Sequence, residues 1–184
     1  LLPLARKEWF PDGARLIDVG TGAGFPGMPL AIARPDLKVT LLDSQRKRCD
    51  FLSAVCDELK LPNVIVLHAR AEDGARGALR EQMDVAVARA VAPLNVLAEY
   101  LLPYVRVGGR MLCWKGPAVR EEMAAGERAC KMLGGQAEGL YRLPIEGREH
   151  YVHSAIKISA TARRYPRKSG TPSKDPLGIL PQKP

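Results

Sequence analysis

The sequence has few aromatic residues, no long apolar run and no initiator methionine. Aromatic side chains make up 5% of the 184 residues, and no apolar stretch approaches the roughly 18 residues that a membrane-spanning helix needs. The opening stretch, LLPLARKEWF, lacks the basic start and apolar core of a signal peptide. We therefore expect a cytoplasmic protein without a membrane partner, and a chain that is a truncated or processed form of a longer one.

The sequence also lacks the spacings that bind metals or form redox pairs. No two of the four cysteines form a C-x-x-C pair, so we predict buried, inert thiols. His150 and His153 are three apart in a strand-like stretch, so their side chains point to opposite faces. We predict no metal site.

Short apolar runs alternate with amphipathic stretches. Strands are predicted at 14–19, 38–43, 63–69, 84–90 and 108–115, and again near 138–143 and 150–158. Helices are predicted at 26–35, 44–61, 93–105 and 119–135. This order predicts an α/β fold, in which a mostly parallel seven-stranded sheet has helices on both faces and an added hairpin at one edge.

The basic charge is concentrated at the C-terminus. Residues 161–184 contain six of the 28 basic residues, one of the 20 acidic residues and five of the 15 prolines. We therefore divide the chain into a folded domain at 1–160 and a basic, proline-rich tail at 161–184. Such a tail indicates a polyanionic partner, although a solvated tail that aids solubility fits equally well.

A glycine-rich turn follows the first predicted strand, in the segment DVGTGAGFPG. Gly22-x-Gly24-x-x-Gly27 fits a dinucleotide-binding turn, and Gly20-x-Gly22-x-Gly24 after Asp18 fits an S-adenosylmethionine-binding turn. A carboxylate at Asp18 repels a pyrophosphate but attracts the ammonium and sulfonium of S-adenosylmethionine. Asp18 therefore favours S-adenosylmethionine, with a nicotinamide or flavin cofactor and a purely structural turn as the alternatives.

Acidic residues at the next two strand ends are placed to bind a nucleoside. Asp43 ends the second strand, where its carboxylate can accept hydrogen bonds from both ribose hydroxyls of either cofactor. Glu72, in the segment RAED after the third strand, can accept a hydrogen bond from an adenine amino group. An acid at this position also fits a helix N-terminus, whose dipole it stabilises.

The fourth strand end lacks the residues of several methyl-transfer chemistries. It reads ARAVAPL rather than the Asn/Asp-Pro-Pro-aromatic turn that is typical of amino-group methylation. The segment also has no cysteine, which methylation at carbon 5 of a pyrimidine needs as a nucleophile. An acceptor that already has a lone pair, such as a purine ring nitrogen, needs placement and no general base. The sequence assigns no catalytic residue, and Arg89 is the candidate for placing the substrate.

Basic and aromatic residues in the second half of the chain are candidates for RNA binding. Lys115 follows the fifth strand, close to the predicted acceptor site, and Tyr165 lies among arginines where its ring could stack on a base. The predicted RNA-binding residues are Lys115, Arg163, Arg164, Tyr165, Arg167 and Lys168.

These motifs together resemble one family. The segments DVGTGAGFPGMPLAI, VTLLDS, RAED, ARAVAPL, KGP and YPRKSGTPSKDPL, with KR at 47–48, occur in the order typical of the RsmG (GidB) family, over about residues 14 to 180. The resemblance implies a class I S-adenosylmethionine-dependent methyltransferase fold. It also implies methylation of guanine N7 at position 527 of bacterial 16S rRNA, free or within the small ribosomal subunit or a precursor.

The resemblance further implies cofactor contacts at Gly20, Phe25, Ala71, Glu72 and Arg89. Asp18, Asp43 and the other turn glycines are added from the residues themselves. Family members usually carry a helical segment ahead of this sequence, and it is missing here. A nicotinamide-dependent oxidoreductase and an RNA-binding module without activity remain the alternative functions.

Overall fold

The computed structural model describes residues 7–89, 92–144, 147 and 149–180. In these residues a seven-stranded sheet carries helices on both faces. The strands are β1 Arg15–Val19, β2 Lys38–Asp43, β3 Val64–His68, β4 Met83–Arg89, β5 Val105–Lys115, β6 Gly135–Arg142 and β7 Tyr151–Lys157. The helices are α1 Gly27–Ala33, α2 Arg46–Glu58, α3 Ala71–Gly74, α4 Leu94–Leu101, α5 Val119–Met132 and α6 Thr171–Lys174.

The strand order in the sheet is β3-β2-β1-β4-β5-β7-β6. The first five strands pair in parallel, while β7 pairs antiparallel with both β5 and β6. This confirms the predicted mostly parallel sheet with an antiparallel hairpin at one edge. The chain leaves β1 and β4 in opposite directions, so a crevice opens at their carboxyl ends, where open α/β sheets bind ligands.

Both faces of the central strands of the sheet are buried. Leu16 and Ile17 are neighbours on β1 and are both fully buried, Leu16 in the cluster with α1 and α2 and Ile17 in the cluster with α4 and α5. Because both faces are covered, the parallel strands are continuously apolar rather than alternating. We call these sides the α1/α2 face and the α4/α5 face.

Two predicted helices differ from the structure. The stretch predicted as 93–105 is helical only to Leu101, and Leu102–Tyr104 forms a 3₁₀ turn around Pro103, whose missing N–H cannot continue the helix. The second predicted helix begins at Ser44, which is a typical capping residue, but the N-cap of α2 in the structure is Gln45. The Gln45 N–H donates to the Asp43 carboxylate.

The spacing of Phe51, Leu52, Val55, Cys56 and Leu59 predicts one apolar face on helix α2, but the structure buries a narrower stripe. Leu52 and Cys56 are buried as expected, but Phe51 and Leu59 are exposed by 56% and 50%. The predicted apolar face was therefore too wide.

The four cysteines are free and buried. Burial raises the pKa of Cys130 to about 12 and raises the pKa of Cys113 still further. These two thiols therefore stay protonated at neutral pH and are not nucleophiles. Among the described residues no group of three or more His, Cys, Asp or Glu could hold a metal ion, and no helix is long and apolar enough to cross a membrane.

The C-terminal segment 161–180 lies along the α4/α5 face. Tyr165 and Leu177 are buried in the core cluster of that face. The Arg80 guanidinium donates hydrogen bonds of 2.7 Å to the carbonyl oxygens of Tyr165 and Thr161. The segment contains one short helix, α6, which the sequence pattern did not indicate.

A buried lysine joins this segment to the sheet. The Lys157 ammonium is fully buried and donates to the carbonyl oxygens of Leu102 and Val105 and to the Thr161 hydroxyl, at 2.7, 3.1 and 2.7 Å. It also pairs with Glu81 at 3.1 Å. Burial lowers the pKa of Lys157, and the Glu81 carboxylate opposes that shift.

Replacing this lysine should destabilise the fold. Lys157→Ala leaves the Glu81 carboxylate and two carbonyl oxygens without their cation, and we expect the free energy of unfolding to fall by about 3 kcal/mol. Urea denaturation followed by circular dichroism measures the change. Lys131→Ala, which removes an exposed lysine from α5, is the matched control and should change stability by less than about 0.5 kcal/mol. Equal effects in the two variants would contradict this account.

Candidate active site

The glycine-rich turn after β1 forms the floor of the crevice. The N–H groups of Gly20 and Thr21 both donate to the carbonyl oxygen of Leu42, at 2.8 and 3.1 Å. Gly20, Gly22 and Gly24 have φ angles of 69°, 62° and 95°. Residues with a side chain rarely adopt this left-handed backbone conformation, which explains why the turn needs glycine at these positions.

Asp18 holds the turn and the start of α1 together. It is fully buried, and its Oδ2 accepts hydrogen bonds from the Thr21 hydroxyl at 2.7 Å and from the Gly27 N–H at 2.8 Å. Gly27 lies so close that a Cβ there would be 2.9 Å from Asp18 Oδ2 and 2.5 Å from Leu41. A glycine is therefore required by close packing and not by its φ angle.

The second carboxylate oxygen of Asp18 has no hydrogen-bond partner within the described chain. Oδ1 is buried and unpartnered. Burial raises the pKa of Asp18 to about 6; the Thr21 and Gly27 hydrogen bonds and the positive charge of Arg89 lower it, and the negative charge of Asp43 raises it. A cation bound beside Oδ1 would satisfy this oxygen and favour the ionised form.

Asp43 connects the turn to the start of α2. One carboxylate oxygen accepts the Gly22 N–H at 3.0 Å, and the other accepts the Gln45 N–H at 2.9 Å. The Arg48 guanidinium lies 3.4 Å away, and Asp43 is 2% exposed. Its carboxylate therefore fixes the backbone of the turn. Oδ2 accepts from both Gly22 and Arg48, so the remaining lone pair lies on Oδ1.

Arg89 ends β4 next to the turn. Its guanidinium carbon lies 5.1 Å from the centre of the Phe25 ring, a cation–π arrangement. Phe25 is 39% exposed, so the pair forms part of the rim of the crevice. Residues 90 and 91 of the predicted ARAVAPL motif lie outside the described residues.

Glu72 has a different environment from the one predicted. It is 4% exposed, and its Oε1 accepts the N–H of Gly170, from the C-terminal segment, at 2.7 Å. Its neighbour Ala71 accepts the Tyr104 hydroxyl through its carbonyl oxygen at 2.6 Å. The Glu72 carboxylate therefore contacts the C-terminal segment through Oε1, a contact that the sequence pattern did not indicate.

Lys115 lines a cavity at the ends of β4 and β5. Its ammonium lies 2.7 Å from Glu122 Oε2 and donates to the carbonyl oxygen of Ala92 at 2.9 Å. The same Glu122 oxygen accepts the Leu94 N–H at 2.8 Å, at the start of α4. The cavity has a volume of about 370 Å³, so Lys115 borders a space that is large enough for a base.

The C-terminal cations fall into two groups. Arg163, Arg164 and Lys168 are exposed, as phosphate-binding residues must be. Tyr165 is only 5% exposed, so no ring face is free for a base. Arg167 donates to both Glu99 oxygens and lies 3.0 Å from Asp175, so its charge is already neutralised within the protein.

Glu99 is the residue that sequence reasoning missed. It is fully buried on α4 and accepts the Arg167 backbone N–H at 2.7 Å as well as the guanidinium. The signal was a single carboxylate within the apolar stretch LNVLAEYL. Such a carboxylate needs a partner, but the sequence does not indicate which of the distant cations it is.

Comparison with known proteins places this geometry in a family. The model of the family described as rRNA small subunit methyltransferase G matches residues 4–150. The ribosomal RNA small subunit methyltransferase G of Alkaliphilus oremlandii is 52% identical over 179 residues, covering 96% of this chain and 75% of that protein. The protein of the same name from Leuconostoc mesenteroides is 50% identical over 165 residues, covering 88% of this chain and 69% of that protein.

Solved structures share the fold at low sequence identity. A variant of the 16S rRNA (adenine(1408)-N(1))-methyltransferase from Catenulisporales acidiphilia superposes with a TM-score of 0.65 at 17% identity, covering 88% of this chain and 93% of that chain. An rRNA methylase from Streptococcus thermophilus has a TM-score of 0.60 at 18% identity, covering 83% of this chain and 91% of that chain. The predicted class I methyltransferase fold is confirmed.

Proposed function

The chain belongs to the rRNA small subunit methyltransferase G family, and we propose that it transfers a methyl group from S-adenosylmethionine to N7 of guanine 527 in bacterial 16S rRNA. The acceptor follows from the family. One observation carries the cofactor assignment: Asp18 Oδ1 is buried beside a bare glycine turn and has no hydrogen-bond partner among the described residues. We place the reaction in the cytoplasm.

The residues around the crevice fit this cofactor. S-adenosylmethionine supplies an electrophilic methyl group on a sulfonium. Asp18 offers a free carboxylate oxygen for the cofactor's ammonium, and a Cβ at Gly22 would meet no atom within 4 Å, so the backbone can be approached closely. The proposed cofactor-binding residues are Asp18, Gly20, Gly22, Gly24, Phe25, Asp43, Ala71, Glu72 through its backbone, and Arg89.

The same carboxylate disfavours the nicotinamide alternative. A dinucleotide would place a pyrophosphate over the turn, beside two buried carboxylates, Asp18 and Asp43. Repulsion of like charges in a buried site costs several-fold more than in water. The oxidoreductase hypothesis therefore does not fit the described site.

The acceptor nitrogen needs placement and no general base. Guanine N7 carries a lone pair at neutral pH, so no proton has to leave before it attacks the methyl carbon. The protonated thiols of Cys113 and Cys130 also exclude these cysteines as nucleophiles. Catalysis then depends on alignment, and we propose that Arg89 and Lys115, at the ends of β4 and β5, position the target nucleotide.

The exposed C-terminal cations provide a surface for the RNA backbone. We propose that Arg163, Arg164 and Lys168 bind phosphates, because their side chains are exposed along the α4/α5 face. Tyr165 and Arg167 are not part of this surface, because Tyr165 is buried and Arg167 is paired with Glu99. They hold the segment in place from inside the protein.

Mass mapping of methylated nucleotides tests the reaction itself. We expect the protein, labelled S-adenosylmethionine and unmethylated 16S rRNA to give one labelled guanine, methylated at N7. The matched control is the same RNA with 7-deazaguanine at position 527, which has carbon at the acceptor position and should remain unlabelled. Label on another nucleotide, or on the 7-deazaguanine RNA, would refute the N7 assignment.

The variant Asp18→Asn tests the cofactor assignment. Both turn hydrogen bonds go to one oxygen, so the Asn carbonyl can keep them, and its amide NH₂ then replaces Oδ1 and faces the cofactor ammonium. We expect the affinity for S-adenosylhomocysteine, measured by calorimetry, to fall about tenfold or more, a loss of roughly 1.5–3 kcal/mol. Unchanged affinity would exclude an Asp18–ammonium contact.

The pH dependence of cofactor affinity tests whether the negative charge of Asp18 is needed for binding. Because the pKa of Asp18 is raised to about 6, the free protein is protonated there below pH 6, and the ammonium must displace that proton. Cofactor affinity should therefore rise with pH from about 5 to 7 and level off above 7. Asp18→Asn should abolish this rise, whereas a rise that persists in the variant would point to another group.

Salt dependence tests the proposed RNA surface. If Arg163, Arg164 and Lys168 each neutralise one phosphate, the triple alanine variant should flatten the slope of log affinity against log salt by roughly 3. The affinity for S-adenosylhomocysteine should stay unchanged, because these side chains are exposed on the α4/α5 face.

A triple variant of equal charge provides the control. Arg15 and Lys38 begin β1 and β2, at the amino end of the sheet, and Lys60 follows α2 at that same end. Replacing all three by alanine should leave the salt slope unchanged. An equal loss of slope in the two variants would show only a general charge effect and would exclude a defined surface at the C-terminal segment.

A further inference from the structure

We propose that the Glu72 side chain is a positioning residue that couples RNA binding to cofactor binding, by tying the C-terminal segment to the backbone beside the adenine site. This inference rests on the proposed function. It replaces the predicted bond between Glu72 and the adenine amino group.

Glu72 connects two parts of the chain that are far apart in sequence. Its Oε1 accepts the Gly170 N–H at 2.7 Å from a position that is 4% exposed. It follows Ala71 directly, whose carbonyl oxygen accepts the Tyr104 hydroxyl at 2.6 Å. A shift of the Ala71–Glu72 backbone therefore disturbs the hydrogen bond from Gly170 to Glu72. A shift of Gly170 likewise displaces the Glu72 side chain and the backbone that carries it.

A second buried carboxylate fixes the same segment three residues earlier. Glu99 is fully buried, accepts the Arg167 N–H at 2.7 Å and accepts the guanidinium at 2.8 Å. Hydrogen bonds to a buried charge are stronger than those between neutral groups. Residues 167–170 are thus held at both ends, and the exposed Lys168 lies between the two anchors.

The coupling follows from this arrangement. An RNA phosphate on Lys168 restrains residues 167–170, and through Gly170 and Glu72 it restrains the backbone that we propose contacts the cofactor. A cofactor bound at Ala71 restrains the same backbone, and through Glu72 and Gly170 it restrains residues 167–170. By thermodynamic linkage, each ligand must raise the binding affinity of the other by the same factor.

A thermodynamic cycle measures the coupling. We expect the wild-type protein to bind 16S rRNA at least about 5-fold more tightly when saturated with S-adenosylhomocysteine, and Glu72→Ala to reduce this factor to about 1. Asp73→Ala is the matched control on the same helix. Its carboxylate is 55% exposed, pairs with Arg76 at 3.6 Å and accepts from the Ser169 hydroxyl of the segment at 2.8 Å. Because exposed polar contacts contribute little, the variant should keep the coupling.

An adenine analogue distinguishes the two roles of Glu72. S-inosylhomocysteine carries a carbonyl oxygen in place of the adenine amino group, so a carboxylate that accepts from that amino group would discriminate against the analogue. We expect Glu72→Ala to keep the wild-type ratio of affinities for S-adenosylhomocysteine and S-inosylhomocysteine. Loss of discrimination in the variant would overturn the proposal and restore the adenine contact.

A second variant disturbs the same link from the other side. Gly170 has a φ of 84° and open space where a Cβ would lie, so Gly170→Ala strains only the backbone of the segment and leaves Glu72 intact. It should also reduce the coupling factor to about 1. Coupling that survives in both Glu72→Ala and Gly170→Ala would refute the inference.

The same measurements separate this inference from the proposed function. A wild-type protein that methylates guanine N7 but binds RNA equally well with and without S-adenosylhomocysteine keeps its function and lacks the coupling. A wild-type protein that neither binds S-adenosylhomocysteine nor methylates RNA contradicts both.

Discussion

The candidate site depends on one buried carboxylate oxygen. Asp18 Oδ2 accepts from Thr21 and Gly27, and so joins the end of β1 to the glycine turn and to the first residue of α1. Burying an ionised carboxylate is unfavourable, and a pKa raised to about 6 corresponds to a cost of roughly 3 kcal/mol at neutral pH. A bound cofactor cation would offset that cost, so the same residue shapes the site and makes it selective for a cationic ligand.

Buried charges also decide where the C-terminal segment lies. Lys157, Glu99 and Glu72 are all less than 5% exposed, and each bonds to backbone or side-chain atoms of residues 161–170. Removing one partner would leave a buried charge unpaired, which costs far more than losing a surface ion pair. The segment is therefore part of the folded protein on the α4/α5 face, and its exposed cations have fixed positions relative to the crevice.

Sequence patterns predicted the site best where the functional residues lie close together in the sequence. Gly20, Gly22, Gly24 and Asp18 lie within one turn, so their spacing already indicates a close backbone approach beside a negative charge. Predictions were less accurate for side chains that meet distant segments. Tyr165 and Arg167 read as RNA contacts because the stretch RRYPRK is basic, yet one is buried and the other is neutralised by Glu99 on α4.

The sequence by itself determined the order of the seven strands and the four longer helices, the cofactor turn and the family, since these depend on hydrophobic periodicity and on motifs of a few neighbouring residues. Tertiary structure alone decided which charges face the solvent. Glu72 and Gly170 are 98 residues apart, and nothing local to either one specifies the other. Their contact exists because the sheet brings α3 and α4 under the C-terminal segment, where a buried carboxylate must find a donor.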